Sequence, residues 1–227
     1  MELTVAVLGA GRMGSFVGEQ LPEEVNKIIV DSDEPKAKEL AKKVGGTYTL
    51  TAQGAATADV VAIVLPAPVV NDVAKALAGI VKDGAIILNM ATNAEIGEEI
   101  KGLRPSVHFV DAKIIGHAKA MSQGATSCVV VSTEDEKALG IISYCLPGYT
   151  RVVSGDVRLV PKLNTIGSTE GIRAAVMVRK QLKQYNVPKE WEDVVISTVC
   201  AGTMRAYVDN DLGEFGLELA KKMEAEA

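Results

Sequence analysis

Cysteine is scarce in this sequence. Cys128, Cys145 and Cys200 are the only three in 227 residues, odd in number and widely spaced. They fit neither a disulfide framework nor a zinc site and read as reduced thiols in the cytoplasm. Histidine occurs twice, at His108 and His117, and no metal site is expected. Aromatics make up 4% against 48% hydrophobic residues, a balance suited to an aliphatic parallel sheet. Positive charge is not in excess: the net charge is -5 and no basic cluster occurs, which argues against a nucleic-acid partner. The longest apolar run, 60–70, has 11 residues and two prolines, too short to span a bilayer. Glu2 stands where a secretory leader carries basic residues, so neither a leader nor a membrane partner is expected.

Glycine is well placed. A short apolar run, 5–8, leads into Gly9, Gly11 and Gly14 at the spacing G-x-G-x-x-G, and a second run ends in Asp31. Gly9 permits the tight turn out of a strand, Gly11 lets a pyrophosphate approach the backbone, and Gly14 lets the next helix pack closely. That helix presents free N–H groups and the positive end of its dipole to phosphates. Asp31, 22 residues after Gly9, suits the hydroxyls of an adenosine ribose. Its charge repels a 2′-phosphate, and no Arg follows in Asp31-Ser32-Asp33-Glu34. NAD is therefore favoured as the cofactor; Arg12 could shield a phosphate, which keeps NADP as the alternative.

Further along, strands are predicted over 27–30, 47–50, 59–65, 85–88 and 107–110, with helices over 14–21, 35–44, 69–81 and 94–100. A strand at 128–131, a helix at 134–145 and a strand at 150–153 extend the sheet. Beyond Gly155 only helices are predicted, over 156–185, 188–208 and 212–223. The fold class is α/β: a doubly wound parallel (Rossmann) sheet, residues 1–155, followed by a small all-α domain, residues 156–227. Ligands in such sheets lie beyond the carboxyl ends of the strands. The amphipathic tail, with Ile172, Val176, Val194 and Val199, carries more apolar surface than one sheet domain can cover. A homodimer through the C-terminal helices is expected.

Five segments in order, G-A-G-R-M-G, L-P-A-P, M-A-T-N, V-D-A-K-I-I-G-H and V-P-K-L-N, resemble the landmarks of the β-hydroxyacid dehydrogenases of the 6-phosphogluconate dehydrogenase superfamily. The resemblance covers about residues 3–170. It implies that the glycine loop with Arg12 and Met13 holds a nicotinamide dinucleotide, that Leu65 and Pro66 line it, and that Thr92 lies near the nicotinamide. It implies that the segment containing Gly116 binds substrate and that Lys162 is the proton donor or acceptor. The chain departs from the pattern at Ile115, where the family has Ser, at His117, where it has a second Gly, and at Ile166, where it has Asn.

Hydride chemistry on a hydroxyl or carbonyl needs a proton acceptor or donor. Lys162, in an apolar stretch, can serve if burial lowers its pKa. His117, just past a strand, is a second candidate for proton transfer or substrate binding. Lys113 is either a point charge for a substrate carboxylate or a solvent-facing lysine. Asn164 and Thr165 either bind substrate or cap their helix. The leading expectation is an NAD(P)-dependent oxidoreductase acting on a small anionic hydroxy or oxo acid. The alternatives are a pyrroline-5-carboxylate reductase-like imine reductase, a deazaflavin-dependent NADP reductase, and a dinucleotide-binding sensor without turnover.

Overall fold

A computed structural model describes residues 3–146 and 150–226. The chain alternates strand and helix from its start. β1 (Thr4–Leu8), α1 (Arg12–Gln20), β2 (Asn26–Val30), α2 (Glu34–Val44) and β3 (Thr47–Thr49) come first. A 3-10 turn, Ala52–Ala55, precedes β4 (Val60–Ile63), and a second, Ala67–Val69, precedes α3 (Val70–Ala78). Then follow β5 (Ile86–Asn89), α4 (Glu98–Lys101), β6 (His108–Ile115), α5 (Ala118–Ser122), β7 (Ser127–Val131), α6 (Glu136–Cys145) and β8 (Thr150–Ser154). The strands form one eight-stranded sheet in the order β3-β2-β1-β4-β5-β6-β7-β8.

The central strands β1, β4 and β5 are almost wholly apolar and buried because both faces are covered. Val5 and Val7 face one core layer, with Phe16 and Val17 of α1, Leu40 of α2 and Ile142 of α6. Ala6 and Leu8, one pleat step away, face the other, with Val70, Ala74 and Leu77 of α3. Local signals set the ends of α2. Asp33 accepts from the Lys36 amide, Pro35 lies in the first turn, and Gly45 closes the helix at φ 70°, a left-handed conformation that glycine adopts at low cost.

β6 differs from its sequence reading. It runs on to Ile115, pairing with β5 in its first half and with β7 in its second. β7 is antiparallel to β6, while β8 is parallel to β7. Residues 116–126 hold only the short α5, too little chain for a crossover back along the sheet, so the chain reverses instead. The helix predicted over 94–100 shrinks to Glu98–Lys101, because the residues before it are bonded to buried side chains of β5 and β6.

The chain divides into two units between Asn164 and Thr165, inside α7 (Val160–Leu182). The start of this helix belongs to the sheet unit because Val157 and Val160 pack with Val130 of β7. The second unit is helical: the rest of α7, a 3-10 turn at Lys183–Tyr185, α8 (Lys189–Val194), a π-helical stretch Val195–Cys200, α9 (Ala201–Val208) and α10 (Glu214–Glu226). Arg179 of α7 is ion-paired with Asp193 of α8, and Tyr207 of α9 donates to Glu224 of α10 at 2.6 Å. Its apolar residues are largely exposed, including Ile172, Val176, Val199 and Phe215. Among the described residues no helix is long and apolar enough to cross a membrane.

Leu77 has 0% exposure at the centre of the α3 face. Leu77→Ala is expected to cost about 2–5 kcal/mol, read as a lower urea midpoint at unchanged slope.

Candidate dinucleotide cleft

The turn between β1 and α1 is built by close backbone approach. Gly9 has φ 105°, and its amide donates to the Val30 carbonyl at 2.8 Å. A Cβ on Gly14 would fall 1.7 Å from the Gly9 carbonyl oxygen, so only glycine lets α1 sit so close to the strand end. Gly11 is different. A Cβ there would have nothing within 4 Å, and its backbone faces an open cleft. Gly11 is also the N-cap of α1 and offers no side chain to the first helical amides. Those donors and the positive end of the helix dipole are thus presented at the cleft wall.

Asp31 holds this turn in place. One carboxylate oxygen accepts from the Ala10 amide at 2.7 Å and the other from the Asp33 amide at 2.8 Å. Each oxygen keeps acceptor capacity beyond that one bond. The carboxylate therefore serves the loop; it is not among the residues that line the cleft.

The cleft has a volume of about 850 Å³. Gly11, Arg12, Met13 and Gly14 line it from the loop, Pro66 from the end of β4, and Gly116 and His117 from the end of β6. Leu65 lies behind this wall, its side chain 3.1 Å from the position of a Cβ on Gly9. His117 is exposed at the N-cap of α5 and makes no capping bond with its side chain, so the imidazole is available to the cleft. Lys119 and Ser122, also on the cleft wall, were missed by sequence reasoning. The basic pair His117 and Lys119 shortly after a strand is the signal that could have found them.

A second, smaller pocket of about 230 Å³ collects Thr92, Glu95, Lys113, Arg158 and Pro161. Beneath it lies a buried polar network that the sequence did not disclose. Asn89 donates to Asp111 at 2.7 Å and to the Ala94 carbonyl at 2.8 Å, and accepts from the Ala91 amide. Asp111 also accepts from the Ile96 amide at 3.1 Å. Lys113 is not solvent-facing: it is 1% exposed. Its ammonium donates to the carbonyls of Ala91 and Ala94, both at 2.5 Å, and of Asn89 at 3.4 Å. Burial pushes its pKa down to about 8, while the Asp111 and Glu95 carboxylates pull it up.

Lys162 is placed otherwise than the sequence suggested. It is exposed in the first turn of α7, not partly buried, and lines neither pocket. Asn164 neither caps its helix nor faces a pocket. Its amide donates to the Ile114 carbonyl at 2.8 Å and its oxygen accepts from the Gly116 amide at 3.3 Å, tying α7 to the end of β6. Thr165 begins the helical unit. Cys145 is buried, and its thiol is pushed up to about 12 by that burial, which leaves it unreactive. Among the described residues no group of three or more His, Cys, Asp and Glu side chains is arranged to hold a metal ion.

Residues 4–92 match the family described as NADP oxidoreductase, coenzyme F420-dependent. No curated protein matches the chain by sequence. Among solved structures, the chain is similar to a pyrroline-5-carboxylate reductase from Coxiella burnetii. The TM-score is 0.75 and the identity 16%, over 98% of this chain and 85% of that one. It is similar to an imine reductase from Myxococcus stipitatus in complex with NADP+, with TM-score 0.67 and 18% identity over 91% and 75% of the two chains. It is also similar to a 3-hydroxyisobutyrate dehydrogenase from Mycobacterium tuberculosis with L-serine, with TM-score 0.56 and 18% identity over 87% and 72%. At these identities the likeness is one of fold.

The two glycines make contrasting predictions. Gly14→Ala forces α1 off the loop and is expected to cost about 3 kcal/mol or more; Gly11→Ala changes stability by no more than about 0.5 kcal/mol. Thermal melts of both variants check this. Lys113 sets a pH dependence. The folded protein releases its proton near pH 8, while the unfolded chain keeps it to the ordinary 10.5. In that window the unfolded state holds more protons, so stability rises with pH, by up to about 3 kcal/mol. Urea melts at pH 8 and pH 10 should show the rise in the wild type and its loss in Lys113→Met.

Proposed function

We propose that this chain, which has the fold of the NAD(P)-binding 6-phosphogluconate dehydrogenase-like superfamily, is an NAD(P)-dependent oxidoreductase. It moves a hydride between the nicotinamide and a small anionic substrate with a hydroxyl, carbonyl or imine. The observation that carries this reading is the loop itself. The uncapped amides of α1 open onto the cleft at Gly11, with the Asp31 carboxylate held at the loop by the Ala10 amide. This is a cradle for a pyrophosphate next to an acceptor for ribose hydroxyls.

The nicotinamide supplies the hydride when bound. The chain's own part is to hold, orient and shuttle a proton. Arg12 and Met13 flank the phosphate cradle, Pro66 is on the wall beside it with Leu65 packed against Gly9, and Thr92 stands on the loop after β5. His117 is the preferred proton-transfer group, because it shares the cleft with the glycine loop. Lys162 is the second candidate. Gly116, Asn164 and Thr165 are kept as candidates for the substrate side, Asn164 through the end of β6; the Lys113 ammonium is spent on main-chain carbonyls instead. Asp31 supports NAD over NADP, since a carboxylate opposes a 2′-phosphate. Exposed apolar residues on the helical unit support a homodimer through the C-terminal helices, and three free cysteines accord with the cytoplasm.

The match of residues 4–92 to an F420-dependent NADP oxidoreductase family favours a second reading. There the hydride partner is a deazaflavin rather than a small acid, and the same cradle serves.

NADH fluorescence titration tests the proposal. The wild type is expected to bind NADH more tightly than NADPH, and Gly11→Ala to weaken NADH binding at least about tenfold. Asp31→Ala is expected to narrow the preference. No response to either dinucleotide at millimolar levels overturns the reading. In turnover with a panel of acids and imines, His117→Ala is expected to lower kcat about 100-fold or more. A larger loss in Lys162→Ala would assign proton transfer to that residue instead.

A further inference from the structure

The loop after β5, residues 90–96, is held from inside by charge. Three main-chain carbonyls, those of Asn89, Ala91 and Ala94, turn inward toward one point, and the Lys113 ammonium sits there. An Asp111 oxygen lies 3.8 Å away. Oxygens that converge in this way repel one another and need a cation or several donors between them. The chain provides a cation on a four-carbon stem, and each of its three protons has a main-chain acceptor.

Lys113 thus borders the small pocket but spends its donors on the main chain. Its charge neighbours are Asp111, Glu95 and Arg158, the last two lining the small pocket with it, and Lys101, which reaches the other Asp111 oxygen at 3.6 Å. Asp111 is committed to the Asn89 side-chain amide and to the Ile96 main-chain amide. The network therefore grips the loop at Ala91, Ala94 and Ile96, on both sides of Thr92.

We propose that Lys113 is a positioning residue whose ammonium acts as a tethered monovalent cation, filling a cage of main-chain oxygens and fixing the loop that carries Thr92. That this loop serves the cofactor rests on the oxidoreductase reading; that the cation holds the loop does not. Near neutral pH the group is charged, since its depressed pKa still lies above 7.

Chemical rescue tests the idea. Lys113→Ala removes three methylenes and the ammonium, which n-propylammonium supplies; propan-1-ol supplies the same carbon chain without charge. The readout is hydrogen-exchange protection of the Ala91 and Ile96 amides. We expect Lys113→Ala to lose at least about tenfold in protection and n-propylammonium, but not propan-1-ol, to restore most of it. Lys113→Met, which fills the space without charge, is expected to lose similar protection that the amine does not restore. Unchanged protection in Lys113→Met, or equal rescue by amine and alcohol, overturns the proposal. NADH affinity measured on the same samples separates the two readings. If the wild type binds no NADH, the cofactor assignment fails, while the exchange data still decide the role of Lys113.

Discussion

A single short bond, from the Ala10 amide to the Asp31 carboxylate, joins the ends of the two strands on which the cleft is built. Beside it, the Gly9 amide reaches the Val30 carbonyl, and α1 presses so close that Gly14 has no room for a Cβ. The loop is therefore held on three sides by backbone and one carboxylate. Its fourth side, at Gly11, is left open to the cleft. Preorganisation of this kind matters because main-chain amides bind an anion well only if they need not reorganise to do so.

The loop after β5 solves a similar problem differently. It has no glycine turn to shape it and lies over the buried ends of β5 and β6. Its polar groups are satisfied by Asn89, Asp111 and Lys113, none more than 1% exposed. A buried charge of this sort is costly to desolvate, yet removing it strands several oxygens at once. The lowered pKa of Lys113 is the sign of that balance. The glycine turn, Thr92 and His117 follow the carboxyl ends of β1, β5 and β6; the turn and His117 share one cleft, and Thr92 lines the second pocket.

Legibility followed the range of the signals. The glycine turn, the acid ending β2 and the caps of α2 are written within a few residues of where they act, and the sequence disclosed them. Lys113 and Asn164 were visible as polar residues in suggestive places. Their partners, however, lie 19–24 and 48–50 residues away. Lys162 illustrates the opposite error: an apolar neighbourhood in sequence suggested burial, but on a helix the neighbours at Leu159 and Leu163 are themselves largely exposed. The helix over 94–100 was overextended for a related reason, since side chains of other strands compete for its main-chain groups.

By itself the sequence determined the alternation of strand and helix, the Rossmann class, the glycine turn after β1 and the helical tail, because each rests on periodicity and on backbone-specific residues acting locally. Only the tertiary structure decided that β7 runs antiparallel, that His117 and Lys119 join the glycine loop on one cleft, and that Lys113 faces inward to a ring of carbonyls. Those outcomes depend on which distant segments become neighbours. Side-chain periodicity tells which residues share a face, but the closing of the sheet determines what that face meets.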